Sequence, residues 1–417
     1  MHKKYEYRDL KPLWISVFVD ILGFSIILPF LPYFIAEFNA SPVIIGFLLS
    51  INAIFGFFFG PILSKLSDTY GRKPMMMISL AGTFVGFIIL IISNNIIVLL
   101  ISRIIDGIFS GQFPIARAII GDVVSPEERP KQMTNIGIAF GSAFLIGPVI
   151  GGILSSFGFI GPGILATILT GFTLVYTSLY LKESLPRKPD LKESQADLPV
   201  ITELDMKSSS IWGNKTLILV IQYAFIAMTG GILHTTFSLF AGIRLGLEPL
   251  LVGILLTLLG VYQIFFRLLV FNRLRNSIGD PKTALIGLGS YIISYLLLGF
   301  TSQAWELIVI LFFISFAGSM SQGIITGFTS RSVDSRNQGK IMGITNGIDN
   351  LAQIIGPIFG GILLSLNGTL PYALVLSLLS VVPFIIGFQV LKFGYDNRDL
   401  EKTKQIPTEL IKPEIIK

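Results

Sequence analysis

What most limits this chain is a succession of long stretches without a single charge. Residues 155–181 and 283–301 contain no Asp, Glu, Lys or Arg, and about 18 such residues suffice to cross the hydrocarbon of a bilayer as a helix. No water is present there to satisfy backbone N–H and C=O groups, so a span must bond to itself, which a helix does. The runs are too long and too continuous for the strands of a barrel. Composition agrees. Only 13% of the 417 residues are charged and mean hydropathy is +0.76, whereas a soluble domain carries about 25% charged residues.

Breaks at Gly, Pro, Asn and charge clusters divide the chain into twelve predicted spans. They run over 12–36, 43–66, 75–93, 96–118, 133–156, 160–181, 214–241, 250–271, 282–301, 304–328, 340–365 and 370–392. The first has a basic flank but no small-residue cleavage site, so it reads as a permanent span and not a signal peptide. The longest polar stretch parts the spans six and six. The domain reading is an N-terminal six-helix bundle at 1–181, a cytoplasmic linker at 182–213, a C-terminal bundle at 214–393 and a tail at 394–417.

The charges test this map. All but two of the 31 Lys and Arg, Arg103 and Arg244, fall in alternate loops, at the adjoining helix ends or at the termini, with Arg267 counted at the end of span 8. Cytoplasmic loops collect Lys and Arg, so the expectation is an integral membrane protein with both termini cytoplasmic. The net charge of +6 therefore marks one side of a membrane and does not call for nucleic acid. There is no cysteine and there are only His2 and His234, which leaves neither a disulfide frame nor a Cys- or His-based metal site. No Gly-x-x-x-x-Gly-Lys-Ser/Thr loop is present for ATP. The sequence calls for no cofactor.

An internal repeat sharpens the reading. Gly147-Pro148-Val149-Ile150-Gly151-Gly152-Ile153-Leu154 recurs as Gly356-Pro357-Ile358-Phe359-Gly360-Gly361-Ile362-Leu363, and Leu66, Asp68 and Gly71 echo in Leu274, Asn276 and Gly279. Two related six-span halves fit a transporter with its substrate site between them near the midplane.

The loop between spans 2 and 3, Ser64-Lys65-Leu66-Ser67-Asp68-Thr69-Tyr70-Gly71-Arg72-Lys73, resembles the signature of the major facilitator superfamily, Gly-x-Leu-Ala-Asp-Arg-x-Gly-Arg-Lys. Ser64, Ser67 and Thr69 depart from that pattern, and Thr69 takes away one charge. The resemblance implies an inner-gate latch in which Asp68 meets helix dipoles or the other half while Arg72 and Lys73 pair with acids of loop 4–5. Arg103-Ile104-Ile105-Asp106-Gly107 and the later Arg117, Asp122 and Arg129 are similar to the same family's fourth-span pattern. Arg103 and Asp106, three apart on one helix face, also suit simple mutual neutralisation. Asp20 with Pro29 and Pro32 looks like the first helix of twelve-span drug:proton antiporters, and Gly147, Pro148, Gly151 and Gly152 like the packed pivot of antiporters, although span 11 carries the same motif.

The implied fold is all-α, with twelve transmembrane helices in two pseudo-symmetric six-helix bundles. The implied function is proton-coupled export of amphipathic small molecules or drugs. The expected partners are small-molecule substrate, protons and membrane lipid, with the protein a monomer. Asp20, about 12 Å into its span at ~1.5 Å per residue, would carry the proton and Arg103 would sense it. Its alternative is a hydrated, passive carboxylate near the mouth. Asp349 ranks second, with a plain polar contact to Asn346, Asn350 or Gln353 as its alternative. Asn52, Gln112, Gln222, Tyr223, His234, Tyr262, Gln263 and Gln322 are the expected cavity-lining polar groups. An importer, a uniporter, a lipid flippase or a non-transporting sensor would share most of these features.

Overall fold

The structure, a computed structural model, describes residues 10–125, 128–185, 213–334, 337–366 and 369–391. Span 1 is Lys11–Ile27, continued beyond a 41° bend by Leu31–Glu37. Span 2 is Pro42–Tyr70, span 3 Arg72–Ile91, span 4 Ile96–Ile108 with Gln112–Val123, span 5 Arg129–Leu154 and span 6 Ile160–Tyr180. The second half repeats the set. Span 7 is Asn214–Leu245, span 8 Pro249–Ile278, span 9 Asp280–Leu298, span 10 Ala304–Arg331, span 11 Gln338–Ser365 and span 12 Thr369–Val390. Eleven are long and apolar enough to cross a membrane singly, and the bent pair of span 1 makes the twelfth. Most of the expected linker (186–212) and all of the expected tail lie outside the described residues.

The breaks have local causes. Pro29 and Pro32 supply no N–H to the helix of span 1, so it bends there. Pro114 likewise leaves the Ser110 carbonyl without its helical partner, and span 4 is interrupted between Ile108 and Gln112. Asn95 caps the start of span 4 by accepting from the N–H groups of Ile97 and Val98. Gln303 and Glu306 form a reciprocal cap at the start of span 10.

Packing follows the repeat. Span 1 lies on spans 5 and 6 as span 7 lies on 11 and 12, and span 3 lies on 4 and 6 as span 9 lies on 10 and 12. The halves meet through two matching seams, span 2 on span 11 and span 5 on span 8. Both are built from small residues that let backbones approach. Gly46 faces the Pro357 carbonyl and Gly361 the Pro42 carbonyl in one seam; Gly253 faces the Pro148 carbonyl and Gly152 faces Leu250 in the other. The alternate glycines of each motif serve the neighbouring helix: Gly147 and Gly151 fit against Ser25 and Ile26 of span 1, Gly356 and Gly360 against Gly231 and Thr236 of span 7.

These seams occupy the half of the molecule away from the face where span 1 begins and span 12 ends, here called the terminal face. Tyr33 adds a hydrogen bond there, donating to the Leu247 carbonyl of the other half at 2.9 Å. Toward the terminal face the halves part. Gly137, Gly141, Gly339, Gly343 and Gly347 have nothing near the place a Cβ would occupy, and Phe140 of span 5 is 43% exposed. The molecule is closed at one end and open at the other.

Candidate functional site

The first half encloses a charged network on span 4. Arg103 Nη1 donates to Asp106 Oδ2 at 3.3 Å, one turn away, and both side chains are almost fully buried. Asn52 of span 2 donates to the same Oδ2 at 2.7 Å. Arg103 Nη2 reaches Ser102 Oγ, which itself donates to the Gly86 carbonyl of span 3, and the guanidinium lies over the Phe87 ring. Thr83 of span 3 accepts from Gln112 Nε2 at 2.8 Å, and Gly86 of the same span packs directly on Asp106. Arg103 Nε has no partner among the described residues. Spans 2, 3 and 4 thus converge on one buried carboxylate.

Asp20 of span 1 stands apart. It is partly buried, nine residues after Lys11, or about 14 Å along the helix. Among the described residues it accepts no hydrogen bond and meets no cation, and the charge acting on it is the like-signed Asp106. One turn further along span 1, Phe24 opens an aromatic row. Phe24 meets Phe144, Phe144 stacks on Phe140 at 4.7 Å, and Phe140 meets Phe113. Arg117 ends the row with its guanidinium 4.2 Å from the Phe113 centroid.

The second half differs. Asp349, which the repeat aligns with Phe140, accepts a 2.8 Å hydrogen bond from the Tyr223 hydroxyl of span 7. That replaces the contact expected with Asn346, Asn350 or Gln353. His234 lies eleven residues beyond Tyr223, three turns on at 3.6 residues per turn, on the same helix face and exposed. Tyr262 packs edge-on to Phe312, Gln322 is exposed, and Gln263 is partly buried with its carbonyl accepting from Ser319.

Several expected lining residues point elsewhere. Gln222 is buried and donates to the Pro383 carbonyl of span 12, which it locks to span 7. Gln112 is buried on Thr83. Asn52 is engaged by Asp106. Polar residues in spans find partners on neighbouring helices because an unpaired polar group in an apolar interior costs free energy.

At the terminal face Gly71, at φ 107°, turns span 2 into span 3 within one residue. Arg72 donates through Nε to Asp122 Oδ2 at 2.8 Å and through Nη1 to Asp68 at 2.6 Å. Lys73 donates to the Ser178 carbonyl instead of an acid of loop 4–5. Asp68 is engaged by its own loop, and among the described residues no group of the other half meets it. Arg129 donates to the carbonyls of Gly121 and Val124 and thereby finishes span 4.

Other partners escaped the sequence. Glu183, just past span 6, accepts from the backbone N–H groups of Arg72 and Lys73 at 2.9 and 3.1 Å, and Ser184 donates to Asp122. In the second half Gly279, at φ 86°, makes the same turn, and Asp280 accepts from Arg275 at 2.6 Å and pairs with Arg331 at 3.7 Å. A lone carboxylate at a helix end has no periodic signature. The echo of Gly71 in Gly279 was the available signal for the second corner.

Twelve helices in two repeated bundles, parted at one end around ionisable groups, define a membrane transporter fold. A family profile described as the Major Facilitator Superfamily matches residues 13–270 and 219–413, and the chain belongs to that superfamily. The class H tetracycline resistance protein of Pasteurella multocida is 30% identical over 347 residues, 82% of this chain and 85% of that protein. Multidrug resistance protein 2 of Bacillus subtilis (strain 168) is 25% identical over 364 residues, 86% of this chain and 89% of that one. A solved bacterial homologue of the human lysosomal transporter Spinster, inward-facing and unoccupied, shares the fold with a TM-score of 0.70. Its identity is 15%, over 94% of this chain and 99% of that one.

Proposed function

We propose that this protein exports amphipathic small molecules or drugs across the membrane in exchange for protons. The relatives named for resistance to tetracycline and to multiple drugs support export. The observation that carries the coupling is Asp20, a carboxylate inside a span that meets no cation among the described residues, while Arg103 is held by Asp106. An ionisable residue inside a span is a functional group by default, and burial of a carboxyl favours its neutral form. The asymmetry of Lys and Arg makes the terminal face cytoplasmic, so the opening described above faces inward.

In this reading Asp20 gives up its proton to the cytoplasm in the inward-open form, while the aromatic row from Phe24 to Phe113 receives the apolar part of the substrate. The two seams then rock, the outer side opens, and a proton from outside neutralises Asp20 as substrate departs. Deprotonated Asp20 and Asp106 repel each other, which links proton loss to the Arg103 network. The Arg72–Asp122–Glu183 corner holds the inner loop in shape during the movement.

The test is reconstitution in liposomes with an internal pH dye and a lipophilic cationic drug, beside Asp20→Asn. Wild-type protein is expected to move protons on drug addition and the variant to lose that movement. Drug flux without proton movement in the wild type would replace antiport with uniport. Equal coupling in Asp20→Asn would remove Asp20 from the role.

A further inference from the structure

Span 8 holds a charge that the sequence reading assigned to a helix end. The expected end at 271 is overtaken by a helix that runs to Ile278, so Arg267 sits eleven residues, about 16 Å, from that end of the helix at ~1.5 Å per residue. It lies within a π-helical turn, Phe266–Val270, and such turns inside α-helices are frequent at functional sites. Its direction follows from its neighbours. Gly253, Thr257 and Gly260 face span 5, while the Leu259 and Gln263 carbonyls and Phe266 face span 10. Exposed Leu251, Ile254, Val261 and Phe265 form the lipid side. Arg267, four residues after Gln263 and seven after Gly260, falls opposite them, on the side facing the cavity. Its Nη2 passes 3.7 Å from where a Cβ would sit on Gly323 of span 10, a residue with no side chain to obstruct it.

Most other arginines of the spans are engaged, although exposed Arg273, six residues nearer the terminal face, has no partner among the described residues either. Arg103 has Asp106, Arg117 has the Phe113 ring, and Arg275 and Arg331 have Asp280. Arg267 is exposed, and among the described residues no carboxylate, carbonyl or ring receives its guanidinium. A guanidinium offers a planar fork of donors suited to bidentate recognition of a carboxylate, and a cation held in an apolar span without a partner is costly.

We infer that Arg267 is an anion-binding group of the transport cavity, receiving a carboxylate or comparable anionic group of the transported molecule. The inference rests on the export reading and extends its substrates to amphiphiles that carry a negative group beside an aromatic body. The glycine opposite leaves room for that group, and the aromatic row of the other half takes the rings.

The test compares two probes that differ only in the anion, a fluorescent fluoroquinolone with its ring carboxylate and the ethyl ester of the same compound. Binding to purified full-length protein is followed by fluorescence for wild type, Arg267→Gln and Arg267→Lys. Arg267→Gln is expected to weaken the acid about tenfold and leave the ester unchanged, which also shows that the variant is folded; Arg267→Lys should recover part of the loss. If acid and ester weaken together, or neither weakens, the anion site is overturned while export stands. If wild type binds neither probe, and also fails to move the cationic drug of the liposome assay, the export reading falls and takes this inference with it.

Discussion

The two halves build the same corner with opposite charges. Where span 3 leaves Gly71 it presents Arg72 to Asp122 at the end of span 4; where span 9 leaves Gly279 it presents Asp280 to Arg331 at the end of span 10. The sign is reversed and the geometry kept, so the fold needs an ion pair at this corner and is indifferent to its polarity. Deeper in the bundles the halves diverge. Counted from the caps Asn95 and Gln303, Arg103 and Asp106 of span 4 correspond to Leu311 and Ile314 of span 10, both buried among apolar neighbours. Span 10 packs without a buried charge, so the architecture does not require one in span 4. On the proposed reading that pair belongs to coupling.

The strongest way to break this comparison is to copy the second half into the first. Arg103→Ala alone leaves Asp106 buried without its cation, and losing one partner of a buried pair costs about 3–5 kcal/mol. Thermal unfolding in detergent should show a large drop. The double variant Arg103→Leu with Asp106→Ile should regain most of that stability, since apolar replacement of a buried pair is often neutral, yet remain without proton-driven transport. A double variant that still couples would show the pair to be a packing device.

A second, smaller effect is expected at the corner. Arg72→Asp places like charges beside Asp68 and Asp122, and should lower transport at least tenfold. Adding Asp122→Arg recreates the polarity of the second half, and should restore a measurable part of the rate. No recovery would mean that Glu183, which holds the N–H groups of Arg72 and Lys73, makes the first corner specific to its own sign.

The smallest effect concerns Asp349. Tyr223→Phe removes one hydrogen bond to a charged acceptor, worth about 1.5–3 kcal/mol; if Asp20 is the proton site, the pH-dye signal should survive both it and Asp349→Asn. Loss of coupling in Asp349→Asn with retention in Asp20→Asn would exchange the roles of the two carboxylates.

Much of this was legible because a bilayer restricts the options. Uncharged runs fix helices, alternating loop charges fix their number, and the copied Gly-Pro-x-x-Gly-Gly marks the seams. The spacing of Arg103 and Asp106 announced their pair. What stayed hidden depended on neighbours far away in sequence. Gln112 and Gln222 looked like cavity polar groups until Thr83 and the Pro383 carbonyl were found beside them. Arg267 was misplaced because the residues after Phe271 turn polar, although no Gly or Pro stops the helix before Gly279. An amphipathic extension past the bilayer core looks like a loop to hydropathy, and like a helix only to a reader looking for its stop signal.

The seams themselves carry a mechanical consequence. Where Gly46 rides on Pro357 and Gly253 on Pro148, the touching surfaces are backbone, and the hydroxyls that cross beside them, Ser50 to the Ile354 carbonyl and Thr257 to the Leu145 carbonyl, also end on backbone. Meshed side chains would behave as gear teeth and fix one register. Smooth backbone behaves as a journal bearing, which carries load while it lets the two bodies roll. With one such bearing on each flank of the molecule, the axis of rotation is set by where the glycines lie.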